Sequence, residues 1–191
     1  TIASLLHISP REIYFTGGGT ESDNWALSSV VLERALKKEK SVHLITSTIE
    51  HPAVLRTCAF FESLGVKVSR IPVDQKGFLD LEALERALQK ESSLQEESSL
   101  REREERSHCL VSVMAANNEI GTIENLKEIG RLAKEYGAVF HTDAVQAFGQ
   151  IPLDIEEMQI DLLSASSHKI HGPKGVGLLY IRKGLKFPSF L

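Results

Sequence analysis

The chain has 191 residues, of which 42% are hydrophobic and 25% charged, and its net charge is −4. That length suits one large domain with an ordinary apolar core. The acidic balance argues against a nucleic-acid surface, and no apolar run approaches the roughly eighteen residues that span a bilayer, so neither nucleic acid nor a membrane is expected as a partner.

Thr1–Leu6 reads as the end of a helix already under way, and Thr1 is not an initiator residue. The chain therefore reads as a single large-domain piece of a longer protein. Cytoplasm is the default location, or an organelle if a targeting segment precedes it. Glu12–Thr16 predicts a strand, followed by Gly17-Gly18-Gly19 and a helix from Thr20 to Lys38. Val42–Ser47 predicts a second strand, after which Pro52 suits the first turn of a helix reaching Leu64. Gly65 closes it, Val66–Val73 is a third strand, and Asp74-Gln75-Lys76-Gly77 has turn chemistry. Asp80 caps a helix through Gln89.

Glu91–Ser107 repeats Ser-Ser-Leu and is dense in Glu and Arg. It predicts a solvated, disordered insertion remote from any site. Cys109–Ala116 is a strand ending in Asn117-Asn118-Glu119, and Leu126–Tyr136 has helical spacing. Strands at Ala138–His141, Asp161–Ala165 and Val176–Ile181 complete the pattern. Strands alternating with helices predict an α/β domain, its sheet mostly parallel and covered on both faces. Cys58 and Cys109 are too few and too far apart for a disulfide framework. No metal cluster is expected.

The polar residues gather at the strand ends, where ligands sit in such sheets. Gly17–Thr20 lies between a strand and a helix, and reads either as a phosphate cradle or as a tight turn with a cap. Lys169, in Ser166-Ser167-His168-Lys169, is either a solvated lysine or, if desolvated, a nucleophile toward aldehydes. Ser166 and His168 are candidate donors to the same phosphate. Asp143 reads as a helix cap or salt-bridge partner, or as the carboxylate of a protonated ring nitrogen, with Gln146 beside it. His51 offers a flat ring and a group that titrates near neutrality, and Asn118 an amide donor. Together these make the requirement list of pyridoxal phosphate.

Five blocks resemble the cysteine desulfurases, a class-V branch of the fold-type I pyridoxal-phosphate enzymes. They are Gly-Gly-Gly-Thr-Glu-Ser-Asp-Asn at 17–24, Glu-His at 50–51, Asn-Asn-Glu-Ile-Gly at 117–121, His-Thr-Asp-Ala-Val-Gln at 141–146 and Ser-Ser-His-Lys-Ile-His-Gly-Pro-Lys-Gly at 166–175. The resemblance implies that Lys169 binds the cofactor aldehyde, Asp143 pairs with the pyridine nitrogen, and His51 stacks on the ring and assists proton transfer. Gly19, Thr20, Ser166 and His168 would hold the phosphate, with Asn118 and Gln146 near the phenolic oxygen. It implies a homodimer that takes sulfur from L-cysteine, leaves alanine and a persulfide, and passes sulfur to an acceptor protein. Selenocysteine lyase, another class-V aminotransferase-like enzyme, and a non-catalytic scaffold are the alternatives. The family's sulfur-accepting cysteine, its substrate-carboxylate arginine and its small C-terminal domain have no counterpart in these residues. The chain alone is therefore expected to carry the cofactor chemistry without complete turnover.

Overall fold

The computed structural model describes residues 2–36, 42–96 and 109–185. A short helix, α1 (Ile2–Leu5), and a 3-10 turn at Pro10–Glu12 lead into β1 (Ile13–Thr16). The order then runs α2 (Gly19–Leu36), β2 (His43–Ser47), α3 (Pro52–Ser63), β3 (Lys67–Ile71), α4 (Leu81–Glu96) and β4 (Cys109–Ser112). After these come α5 (Leu126–Glu135), β5 (Val139–Asp143), β6 (Leu162–Ser166), a 3-10 turn at Ser167–Ile170, and β7 (Gly177–Ile181).

Local chemistry accounts for the boundaries. The Asp80 carboxylate accepts the Ala83 N–H and the Asn125 side chain accepts that of Glu128, so α4 and α5 each start on a side-chain cap. His51 caps α3 through Nδ1, with Pro52 in the first turn. Gly65 and Gly137, both at positive φ, follow α3 and α5. Helix α4 runs past Gln89 to Glu96, so the first six residues of the predicted insertion continue a helix. Leu94, Gln95 and Glu96 are good helix formers, and propagating a helix costs less than starting one. The rest of that insertion, 97–107, lies outside the described residues.

The seven strands form one sheet in the order β1-β7-β6-β5-β4-β2-β3. Strands β6, β5, β4, β2 and β3 are parallel, while β7 runs antiparallel to both β6 and β1. Reversal of β7 makes β1 point the same way as β6. Helices cover both faces. Ala26, Leu27 and Val30 of α2 and Val54 and Cys58 of α3 pack on Leu44, Leu110, Val139 and Leu162. Leu84 and Leu88 of α4 and Ile129 and Leu132 of α5 pack with Ile45, Val111, Phe140 and Leu163 on the other face. Phe140 is 1% exposed, and truncating it to alanine would cost about 3–5 kcal/mol.

Candidate active site

Two backbone segments meet because of the reversed strand. In the register, Thr16 of β1 and Ser166 of β6 both lie opposite Gly177 of β7, one on each side. The carboxyl ends of β1 and β6 are thus held one strand apart, and their following loops face each other. Gly177 makes this approach possible, since a Cβ there would sit 2.5 Å from the Gly18 carbonyl carbon and 2.7 Å from Thr16 Oγ1. Gly19 is equally constrained, because a Cβ would meet Val145 Cγ2 at 2.5 Å, directly after the Asp143 turn. At Gly18, by contrast, a Cβ would meet nothing within 4 Å.

The loops enclose a cleft of about 620 Å³ lined by Gly17, Gly18, Gly19, Thr20, Ser166 and His168. Asn24 and Lys174 also line it, and neither was singled out from sequence. The N–H groups of the first α2 turn have no partner within the helix and suit an anion. Glu21 is not a competing anion there without a partner, because its carboxylate accepts the Gly17 N–H at 2.6 Å. The Ser166 hydroxyl is bonded to His168 Nδ1 at 2.7 Å.

A second cleft, of about 500 Å³, is lined by Thr20, Asn24, His51, Arg56 and Phe60 among others. Thr20 and Asn24 therefore belong to both clefts. His51 Nδ1 accepts the Ala53 N–H at 3.1 Å, which leaves Nε2 as the atom that carries its proton when neutral.

Asp143 ends β5 and is 5% exposed. Its Oδ1 accepts the Val145 N–H at 2.8 Å, and among the described residues it has no ion pair with Lys or Arg. Burial raises its pKa, opposed by the Val145 bond and by His51 nearby. A carboxylate in this position lacks a cation. Two further carboxyls are buried beside it. Asp23 of α2 is pushed well up by burial and then by the Asp143 charge. Burial likewise pushes Glu50 up to about 8, against its bonds from Ser47 and Met114.

Among the residues predicted from sequence, Gly19, Thr20, Ser166 and His168 come together in the first cleft, and Thr20 joins His51 in the second. Asp143 lies close enough to His51 to feel its charge. Lys169 is exposed in the turn directly after β6 and lines neither cleft. Asn118 is exposed, Gln146 is half-buried, and neither lines either of these two clefts. Its neighbour Asn117 is the buried amide, donating to the Ile49 carbonyl at 2.8 Å and accepting the Glu119 and Ile120 N–H groups. Sequence reading passed over Asp23, Glu50, His141 and Ser164. Alternation along β5 was the available signal for His141, since residues two apart on a strand share a face.

The residues fit pyridoxal phosphate. A glycine-lined cradle with hydroxyl, imidazole and ammonium groups suits its phosphate, and the Asp143 carboxylate, buried at a strand end without a Lys or Arg partner among the described residues, suits a protonated ring nitrogen. Fold and site together define a pyridoxal-phosphate-type large domain. The chain belongs to the aminotransferase class-V family, which matches residues 1–189. It is 46% identical over 190 residues to the cysteine desulfurase IscS of Clostridium botulinum, covering 100% of this chain and 43% of that protein. It is 47% identical over 189 residues to the IscS of Methanosarcina thermophila, covering 99% and 42%. The mitochondrial cysteine desulfurase of Candida albicans is 44% identical over 95% of this chain and 33% of its own length. Among solved structures, a NifS-like protein superposes with a TM-score of 0.83 at 39% identity, covering 100% of this chain and 47% of that one. SspA in complex with cysteine superposes with 0.85 at 36%, covering 100% and 50%. The chain thus spans about half the length, or less, of the relatives it matches. No helix among the described residues is long and apolar enough to cross a membrane.

Proposed function

We propose that this chain is the cofactor-bearing half of a cysteine desulfurase, which removes sulfur from L-cysteine with pyridoxal phosphate and leaves L-alanine. The carrying observation is the convergence of the β1 and β6 loops on one cleft, with the cation-seeking carboxylate Asp143 at the adjacent strand end. Relatives named as cysteine desulfurases support the choice of substrate over selenocysteine or an amino-group acceptor. We further propose a homodimer that hands its sulfur to an acceptor protein.

When bound, pyridoxal phosphate supplies an aldehyde for amines and a ring that withdraws electrons from the substrate's bonds. The residues of the chain bind and orient it. Gly19, Thr20, Ser166 and His168 hold the phosphate through backbone N–H, hydroxyl and imidazole groups. Lys169, three residues beyond Ser166, offers its amine to the aldehyde. Asp143 holds the proton on the ring nitrogen, and His51 moves a proton through Nε2. Asn118 and Gln146 are assigned to the phenolic oxygen.

The test uses the full-length protein. With pyridoxal phosphate, L-cysteine and excess dithiol, which is oxidised to its disulfide as it reduces the persulfide to sulfide, it should release sulfide and alanine in equal amounts, and carry a visible band from the lysine-bound cofactor. Lys169→Ala should lose both band and turnover. Asp143→Asn should keep much of the cofactor yet slow turnover on the order of 100-fold or more. An unchanged band in Lys169→Ala would remove that lysine from its role, and turnover equal to wild type in Asp143→Asn would remove Asp143.

A further inference from the structure

Asn117 joins two loops that the proposed chemistry needs in fixed places. It lies in the segment after β4, 8% exposed, and both ends of its side-chain amide are engaged. Nδ2 donates to the Ile49 carbonyl, 68 positions earlier, at 2.8 Å and lies 3.3 Å from Met114 Sδ. Oδ1 accepts the Glu119 N–H at 2.8 Å and the Ile120 N–H at 3.0 Å. The backbone completes the turn, since the Asn117 N–H donates to the Thr122 carbonyl and the Gly121 N–H to the Asn117 carbonyl. One amide thus folds the loop after β4 around itself and holds the loop after β2 against it.

The partners leave little choice of side-chain group. The Ile49 carbonyl and the Met114 sulfur can only accept, whereas the Glu119 and Ile120 N–H groups can only donate, so the residue must offer a donor on one side and an acceptor on the other. A carboxylate would set an oxygen against the Ile49 carbonyl. A serine could accept within the turn but is too short to reach Ile49. The loop held in this way carries His51. Residues 48–51 connect β2 to α3, with the Thr48 N–H donating to the Ile71 carbonyl and the Ile49 N–H to the Ser47 hydroxyl. Glu50 Oε1 accepts the Met114 N–H, a second tie to the segment after β4. Among the described residues the His51 ring has one hydrogen bond, from the Ala53 N–H of its own helix. Its place at the cleft is therefore set by where residues 49 and 50 are pinned, and a group that moves a proton loses rate steeply when it is displaced.

We propose that Asn117 is a positioning residue for His51: its amide pins the Ile49 carbonyl to the segment after β4 and so fixes where the His51 ring stands at the cleft. The proton transfer by His51 rests on the function proposed above, whereas the pinning of residues 48–51 does not.

Two variants of the full-length protein remove the donor and keep the turn. Asn117→Ser leaves a hydroxyl that accepts within the loop, and Asn117→Asp leaves an acceptor of the same shape with no N–H. Either serves if the other fails to fold. Hydrogen–deuterium exchange of the cofactor-free protein, read peptide by peptide, should show the amides of residues 48–53 exchanging about tenfold faster than in wild type, with α5 and β5 unchanged. Exchange at 48–53 as slow as in wild type, or a rise spread evenly over the chain, would overturn the pinning. The second arm is a double-mutant cycle on turnover with L-cysteine and excess dithiol. Loss of the donor should lower kcat on the order of tenfold and leave KM within about two-fold of wild type. In a His51→Gln background the same loss should cost less than about two-fold, because the residue it acts through is gone. An equal cost in both backgrounds would overturn the link to His51. An inactive wild type, or His51→Gln with full activity, would sink the functional reading and with it that link, while the pinning stands or falls on the exchange result.

Discussion

Glu50 shows how a single side chain can couple the site to pH. Its Oε1 accepts the Ser47 hydroxyl at 2.5 Å and the Met114 N–H at 3.0 Å, while Oε2 has no hydrogen-bond partner. The carboxyl thus clamps the ends of β2 and β4 immediately before His51. Its pKa in the folded state is raised to about 8 from an ordinary value of 4.5. The folded chain therefore holds a proton that the unfolded chain releases, and the sign follows from linkage. Stability from this group is full below about pH 4.5, declines as pH rises toward 8, and is level above that. Glu50→Gln keeps an acceptor oxygen for Ser47 and Met114 and cannot ionise. The variant should lose that decline, so that urea midpoints at pH 5 and pH 8 differ less than in wild type. An equal pH dependence in both proteins would show that Glu50 is not the group responsible.

At the level of elements, the glycines of the cradle carry the geometry. Gly177→Ala places a methyl group against the Gly18 backbone, where nothing flexible can yield. The loop at 17–19 must lift or β7 must shift, with a stability cost of about 1–3 kcal/mol. Cofactor affinity should fall more than stability does, since the phosphate donors sit on that loop. Thermal unfolding and cofactor titration of the same variant check this, and a purely thermal effect would argue against the cradle. Much of this arrangement was legible in the sequence. Periodicity and glycine punctuation located every strand, and the Gly17–Thr20 and Ser166–Lys169 blocks stood out as strand-end loops. Reversal of β7 was not legible, because a five-residue apolar run reads the same in either direction. Gly177 was missed for the same reason, since its role depends on strands that are neighbours only in space. Ser112 and Ser164, buried against His141, were missed because single polar residues within apolar strands carry no local signature, whereas His141 shares a strand face with Asp143 and could have been found from it. The far end of α4 was misjudged because its charged and serine-rich composition hid ordinary helix formers.

At the scale of the molecule, the two thiols line neither of the two clefts at the candidate site. Cys58 is 0% exposed and Cys109 2%, and burial pushes the Cys58 thiol up to about 12. A thiol that receives sulfur must be exposed and readily ionised. In the full-length protein, Cys58→Ala and Cys109→Ala should therefore keep sulfide release, and native protein should resist alkylation at both positions. Loss of turnover in a variant that remains folded would relocate the acceptor.

The pairing of β1 with β7 has a consequence for how such a protein is born. Among the described residues, the strand partners of residues 13–16 are residues 177–180, and the Lys183 N–H reaches back 171 positions to the Glu12 carboxylate. During synthesis, β2 to β5 can assemble from neighbouring segments as they emerge, but the cradle cannot close until β7 has left the ribosome. A nascent chain halted before Gly177 would already possess most of its sheet, including the Asp143 end of β5, and still have nowhere to seat a phosphate. The phosphate-sized cleft is thus timed to the emergence of β7.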